Sequence, residues 1–216
     1  MQPIEDSLKF KSWYAAVEKN GNAIHNVRDL HTVRKRNGTV LFSMVHMQAD
    51  SPEGNPLLPV VLIRGHFVSI VTVLRDAETG EEFFLLVRQR RVANGALFYE
   101  HPAGMVDEHT DPFEIALIEL YEETGLKVQR DQLRLLNDEL YYSSPGLLDE
   151  GGYFFACEIE LPRAEIMAYH EAAHGEGGEG EFIHTYVATP AAARRLIKNS
   201  NGLLGMFLYR EKGSDF

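Results

Sequence analysis

The chain has 216 residues, 44% hydrophobic and 25% charged, with a formal net charge of −11. That length suits one well-buried α/β domain with a smaller N-terminal element and is short for two full domains. So acidic a surface argues against nucleic acid or an anionic membrane as partner, because phosphates are repelled over most of it, although a small phosphate ligand can still bind where a cation and a few arginines line a pocket.

The first residues, Met1-Gln2-Pro3-Ile4-Glu5-Asp6, form no apolar signal core, and their acids do not suit a transit peptide. Residues 7–19 read as an amphipathic helix with Leu8, Trp13, Tyr14 and Val17 on its apolar side, and Trp13 as a packing anchor. Two strand-like runs, 25–33 and 39–47, flank Arg36-Asn37-Gly38, and Asn-Gly is a strong hairpin signal. The stretch 49–59 carries Pro52, Gly54, Pro56 and Pro59 and reads as a linker, dividing a small element, 1–58, from a main domain, 59–216.

Beyond it the pattern turns β-rich. Strands are expected at 60–63 and 67–74, a turn at 76–80, and strands at 83–87 and 96–100 around a loop at Asn94-Gly95. A helix at 112–124, strands at 133–142 and 152–161, and a helix at 163–172 follow. The single cysteine, Cys157, lies in an apolar run and reads as a core thiol; with no intrachain disulfide possible, a reducing compartment, cytoplasmic or organellar, fits. The acidic, glycine-rich stretch 175–181 is a loop, 182–188 a strand, and the last helix starts at Thr189-Pro190 and ends near Asn201-Gly202. No run of about 18 apolar residues appears, so no helical membrane span is expected. The sum is a mixed α/β sandwich with helices on both sides of a β core.

The helix at 112–124 has clear ends: Asp111 as N-cap, Pro112 in the first turn, Glu114 three residues after the cap, and Gly125 where a left-handed residue stops a helix. At about 100° per residue, Glu119, Glu122 and Glu123 share one face, while Phe113, Leu117, Leu120, Tyr121 and Thr124 make the opposite, core stripe. Like charges at those spacings repel by a few tenths of a kcal/mol per pair, roughly, on a bare helix. Taken alone, the triplet reads first as a solvated acidic face and second as hard oxygen donors for Mg²⁺ or Mn²⁺.

The surrounding strings decide between these. Gly104, Glu119, Leu120, Glu122, Glu123, Gly125 and Leu126, with HPAGMVDE before the helix and ELYEETGL at its end, resemble the signature of the Nudix hydrolase family in register. The resemblance implies an α/β/α sandwich around a mixed sheet, with a small N-terminal β-hairpin element. Two positions depart from the pattern: Thr110 stands where the first Glu belongs and Ile118 where the Arg belongs. In the family those side chains brace the loop against the helix, and losing both leaves no unpaired charge.

Further strings resemble the ADP-ribose and nucleotide-sugar pyrophosphatase branch. Val87 to Ala93, VRQRRVA, is similar to the strand and turn that carry a phosphate-contacting arginine, Arg91 by position, with Arg88 and Arg90 as substitutes; a guanidinium fork can hold two phosphate oxygens. Glu100-His101-Pro102-Ala103-Gly104 is similar to the segment whose Ala carbonyl binds metal and whose Glu faces the same site. Ser144-Pro145-Gly146 resembles the Ser-Pro-Gly element of this branch, placing Pro145 and Gly146 at the substrate. Glu179, with Glu181 second, matches the acidic loop whose glutamate orients or deprotonates water, and glycines at 175, 177, 178 and 180 would let that loop close. The string GNPLLPVVLIRG, from Gly54 to Gly65, is similar to plant-type ADP-sugar diphosphatases. The implied metal set is Ala103, Glu119, Glu122 and Glu123, with Glu122, Glu123, Glu179 and Glu181 catalytic, and a homodimer through the N-terminal sheet is implied as well. His101 and His109 flank the box loop and read as ordinary loop histidines, with contact to a substrate as the alternative, and His170 and His174 stand at i, i+4 without a third zinc ligand and read as an exposed pair.

The reaction implied is Mg²⁺- or Mn²⁺-dependent hydrolysis of a nucleoside-diphosphate-linked small molecule, a nucleotide sugar or ADP-ribose. The alternative is a non-catalytic or weakly active Nudix module that binds a nucleotide or an RNA 5′ end within a complex.

Overall fold

The computed structural model describes residues 3–106, 111–174 and 183–213. In chain order the elements are α1 (Leu8–Lys19), β1 (Ala23–Arg34), β2 (Val40–Asp50), β3 (Val60–Ile63), β4 (Phe67–Asp76), β5 (Glu82–Arg90), β6 (Leu97–Glu100), β7 (Ala103–Met105), α2 (Pro112–Thr124), β8 (Leu133–Leu135), β9 (Tyr141–Tyr142), β10 (Gly151–Leu161), α3 (Arg163–Ala168), β11 (Ala173–His174), β12 (Ile183–Ala188), α4 (Pro190–Leu196) and α5 (Ser200–Gly213). Contacts divide them into two compact units.

Among the described residues, the first unit holds those up to His66 together with Val106 and Tyr141–Gly151. Its sheet is antiparallel in the order β1-β2-β3. The turn between β1 and β2 is the Asn-Gly turn, with Gly38 at φ 89°, a conformation that glycine adopts without steric cost. The proline-rich stretch is the hairpin connection of β2 and β3, tied by Leu57 N–H to Ala49 O at 2.9 Å and Met47 N–H to Pro59 O at 2.7 Å. Phe10 and Trp13 of α1, capped by the Ser7 hydroxyl, pack with Val45, Met47, Ala49 and Ile63 of the sheet. Segment 141–151 is stitched in by Leu62 N–H to Leu147 O at 2.8 Å and by Asp149, which accepts from the Arg64 amide at 2.7 Å.

The second unit is the larger. Its sheet runs β11-β12-β5-β4-β10-β8, with β6 on β5 and β7 on β4. β4 and β10 are parallel neighbours and the other pairs are antiparallel. β4 is buried along nearly its whole length, as a strand covered on both faces must be. Val71 and Val73 of β4, with Phe84 and Leu86 of β5, pack under Ala193 and Ile197 after β12 and under Met206 and Leu208 of α5. The alternate residues, Ile70, Leu74, Leu85 and Val87, are equally buried on the other face, and α2 packs on β4, β7 and β12. The expected sandwich of helices around a mixed sheet is therefore present.

Three sequence expectations change. The strand expected over 133–142 is two short strands separated by residues 136–140, where the Asn137 amide bonds backbone instead of a ladder partner doing so, donating to Gly152 O at 2.9 Å. The helix expected over 163–172 stops at Ala168, and Glu171 adopts φ 61°. Asn201-Gly202 does not end the last helix: α4 closes at Leu196, and those residues lie in the first turn of α5.

Candidate functional site

Helix α2 forms where its ends predict it. The Asp111 carboxylate accepts from Phe113 N–H at 3.0 Å, and Gly125 closes the helix at φ 71°. That amide, and then the Arg130 guanidinium, hold the Asp111 carboxyl below its usual range. The buried stripe differs from the helical-wheel expectation: Ala116, Leu120, Glu123 and Thr124 are buried, whereas Tyr121 is 56% exposed. By spacing, Glu123 falls on the face opposite the core stripe. Here Glu123 turns inward because backbone receives it: its Oε2 accepts from Ala103 N–H at 2.9 Å.

The same strand sets the position of Glu119, one turn earlier. A Cβ built on Gly104 would overlap the Glu119 carboxylate. Only glycine at 104 lets this carboxylate lie against β7, which β4 in turn holds through the pairing of Ser69 with Ala103 and Val68 with Gly104. Glu119 and Glu123 thus converge on the Ala103-Gly104 backbone, while Glu122 is on an exposed part of the helix. Among the described residues, no three His, Cys, Asp or Glu side chains form a ready metal cluster. The donor set that does fit a divalent cation is two hard carboxylates beside a backbone segment from which a Cβ is excluded.

The basic residues after β5 separate by role. Arg91 donates through Nε to Glu100 Oε2 at 2.7 Å and is 41% exposed. Arg88 instead makes a bidentate pair with Glu171, at 2.9 and 2.7 Å, and its bond to Tyr99 is the largest of the causes that raise its pKa. Two nitrogens committed to one carboxylate make Arg88 the poorer anion ligand. Glu100 is 8% exposed, and its second oxygen accepts from Asn199 Nδ2 at 2.7 Å. Asn199 lies 99 residues along the chain, so sequence reading gave no sign of the contact.

His101 does not face a substrate. It is 1% exposed, edge-on to Phe84 at 5.9 Å, and burial pushes it down to about 4, offset in part by the Gly202 backbone. His170 and His174 share no helix: His170 Nδ1 accepts from Val187 N–H at 3.3 Å, whereas His174 belongs to β11. Burial pushes the Cys157 thiol up to about 12, which fits a core thiol rather than a nucleophile. Pro145 and Gly146 lie in the first unit, in a turn closed by Leu148 N–H to Ser144 O at 2.8 Å. Thr110, His109, Glu179 and Glu181 lie outside the described residues.

A helix-covered mixed sheet that brings two glutamates of one helix to a glycine-bearing strand is the arrangement that the resemblance to the Nudix family implies. Residues 65–177, more than half of the chain, match the NUDIX domain family, and the chain belongs to that family. It is 24% identical to Nudix hydrolase 14, chloroplastic, of Arabidopsis thaliana, over 94% of this chain and 70% of that protein. It is 30% identical to the ADP-ribose pyrophosphatase of Bacillus subtilis (strain 168), over 57% of this chain and 60% of that protein. A solved structure described as an ADP compounds hydrolase superposes with a TM-score of 0.63 at 20% identity, covering 89% of this chain and 95% of that one; at such identity the likeness speaks for the fold. The reading of the chain as a Nudix pyrophosphohydrolase stands on the family match.

Proposed function

We propose that the protein hydrolyses the diphosphate bond of a nucleoside-diphosphate-linked small molecule, ADP-ribose or a nucleotide sugar, with Mg²⁺ or Mn²⁺. Water adds to one phosphorus and the bridging P–O bond breaks, giving a nucleoside monophosphate and a sugar phosphate. The observation that carries the reading is the Glu119 carboxylate seated on Gly104 beside the Glu123–Ala103 bond. A divalent cation held by Glu119, Glu123 and the Ala103 carbonyl would neutralise phosphate charge and acidify water.

The chain's own residues supply the remainder. Glu123, fixed by the Ala103 amide, keeps one carboxylate oriented before substrate arrives. Glu122, exposed beside it, completes or orients the donor set. Arg91 engages Glu100 through Nε, so its Nη groups are not spent on that bond and can hold a phosphate. Glu100 holds Arg91, and Glu179, with Glu181 as substitute, takes the proton from water. The name of the Bacillus relative supports an ADP-containing substrate. The small N-terminal element is the surface for a homodimer, and the protein works in a reducing compartment.

One observation favours a second reading. Ile118, an apolar side chain where the family pattern has arginine, is 47% exposed on α2. A module that binds a nucleotide or an RNA 5′ end without hydrolysing it would tolerate this. Phosphate release from ADP-ribose, ADP-glucose and UDP-glucose, coupled to a phosphatase, separates the two: turnover with Mg²⁺ supports the enzyme, and tight binding without turnover on any of them supports the module.

A further inference from the structure

Asn199 sits immediately before α5 and uses both ends of its amide. Its Oδ1 accepts from Gly202 N–H at 3.1 Å, an N-cap bond to the third residue of the helix, and its Nδ2 donates to Glu100 Oε1 at 2.7 Å. The orientation of the amide follows from its partners: a backbone N–H can only donate and a carboxylate can only accept. Gly202 makes the cap possible, since a Cβ there would overlap Asn199 Oδ1. The bridge between Tyr99 and Ile197 brings this segment alongside β6, so that Asn199 meets Glu100.

Glu100 is therefore gripped from two sides, by Asn199 on one oxygen and by Arg91 Nε on the other at 2.7 Å. An arginine that is 41% exposed has many rotamers open to it, and ordering it on substrate binding costs free energy. A nearly buried carboxylate clamped by a helix cap removes much of that freedom in advance. We infer that Asn199 is a positioning residue for the phosphate-binding arm: through Glu100 it couples the N-terminus of α5 to Arg91, and so sets the affinity for the diphosphate rather than the rate of its cleavage. The inference rests on the proposed role of Arg91 in holding phosphate.

The two jobs of Asn199 can be separated. Asp and Ser are N-caps as good as Asn, so Asn199→Asp and Asn199→Ser preserve α5. Aspartate has no proton to donate to Glu100, and serine is one bond too short to serve both partners. With the full-length protein and the diphosphate that the wild type turns over, KM should rise about tenfold in both variants, more in Asn199→Asp, with kcat within about twofold. Loss of the bond to the nearly buried Glu100 should lower the thermal midpoint by a few degrees in Asn199→Ser, and by more in Asn199→Asp, where a second carboxylate faces Glu100. In an Arg91→Gln background the serine change should add less than about twofold, because the coupled partner is gone. Unchanged KM in both variants, kcat and thermal midpoint falling together, or a full serine effect without Arg91 would each overturn the inference. A wild type that turns over none of the three diphosphates defeats instead the function on which it rests.

Discussion

Gly104→Ala is the sharpest single perturbation of the site. Gly104 is not held in the left-handed region, so alanine meets no backbone strain there. The only obstacle is the new methyl, which falls on the Glu119 carboxylate. Restoring ordinary contact moves that carboxylate by at least about 1 Å, and a shift of this size in a catalytic constellation costs roughly 100-fold in rate. The stability cost should be small, about 1 kcal/mol at the low end for overpacking, because Glu119 is only half-buried and can swing away. The assay is phosphatase-coupled phosphate release across a Mg²⁺ titration, with thermal denaturation in parallel. The expected result is a folded protein with a large fall in kcat and a raised Mg²⁺ requirement. Wild-type activity and metal dependence in a folded Gly104→Ala protein would refute the seating of Glu119 against β7 as the origin of metal binding.

Other consequences can be checked separately. His101 is buried with a pKa of about 4, against an ordinary 6.5, so the unfolded chain takes up its proton first as pH falls. The stability it confers is complete above pH 6.5 and is lost as pH falls toward 4, amounting to about 2 kcal/mol at pH 5. Urea unfolding at pH 8 and pH 5 should show that loss in wild type and a smaller one in His101→Leu; equal losses would contradict it. Gly125→Ala places a side chain at φ 71° and within 2.9 Å of the His174 ring, so it should lower stability by at least about 1 kcal/mol in chemical denaturation. Arg88→Gln should leave KM within about threefold of wild type while Arg91→Gln raises it at least tenfold, because only Arg88 has both its terminal nitrogens committed to a carboxylate; equal effects on KM would reject that division of roles.

Much of the fold is local and therefore readable. Asp111, Pro112 and Gly125 set both ends of α2 to the residue, and Asn37-Gly38 sets the hairpin of β1 and β2. What escaped depends on partners distant in sequence. Gly202 looked like a helix stop beside Asn201; it lies in the first turn of α5 because Asn199 needs the space that a Cβ would fill. Helical spacing puts Tyr121 on the core stripe and Glu123 on the opposite face; the amide of Ala103 in β7 draws Glu123 inward, and Tyr121 is left exposed. His101 gave no local sign that α5 would cover it. The site follows the same division. The strings around Glu119, Glu122 and Glu123 announce a donor set that their spacing alone does not, whereas the inward turn of Glu123, the commitment of Arg88 to Glu171 and the clamp on Glu100 are tertiary facts.

The central claim, that Glu119 and Glu123 hold a divalent cation for diphosphate hydrolysis, is tested most directly by Glu123→Gln. Glutamine can still accept from Ala103 N–H, so the fold should persist while the carboxylate charge is gone. Phosphate release from ADP-ribose with Mg²⁺, compared between wild type and Glu123→Gln, should fall at least about 100-fold at unchanged thermal midpoint, and chelation should silence the wild type. Wild-type turnover by Glu123→Gln, or turnover that survives chelation, would contradict the account.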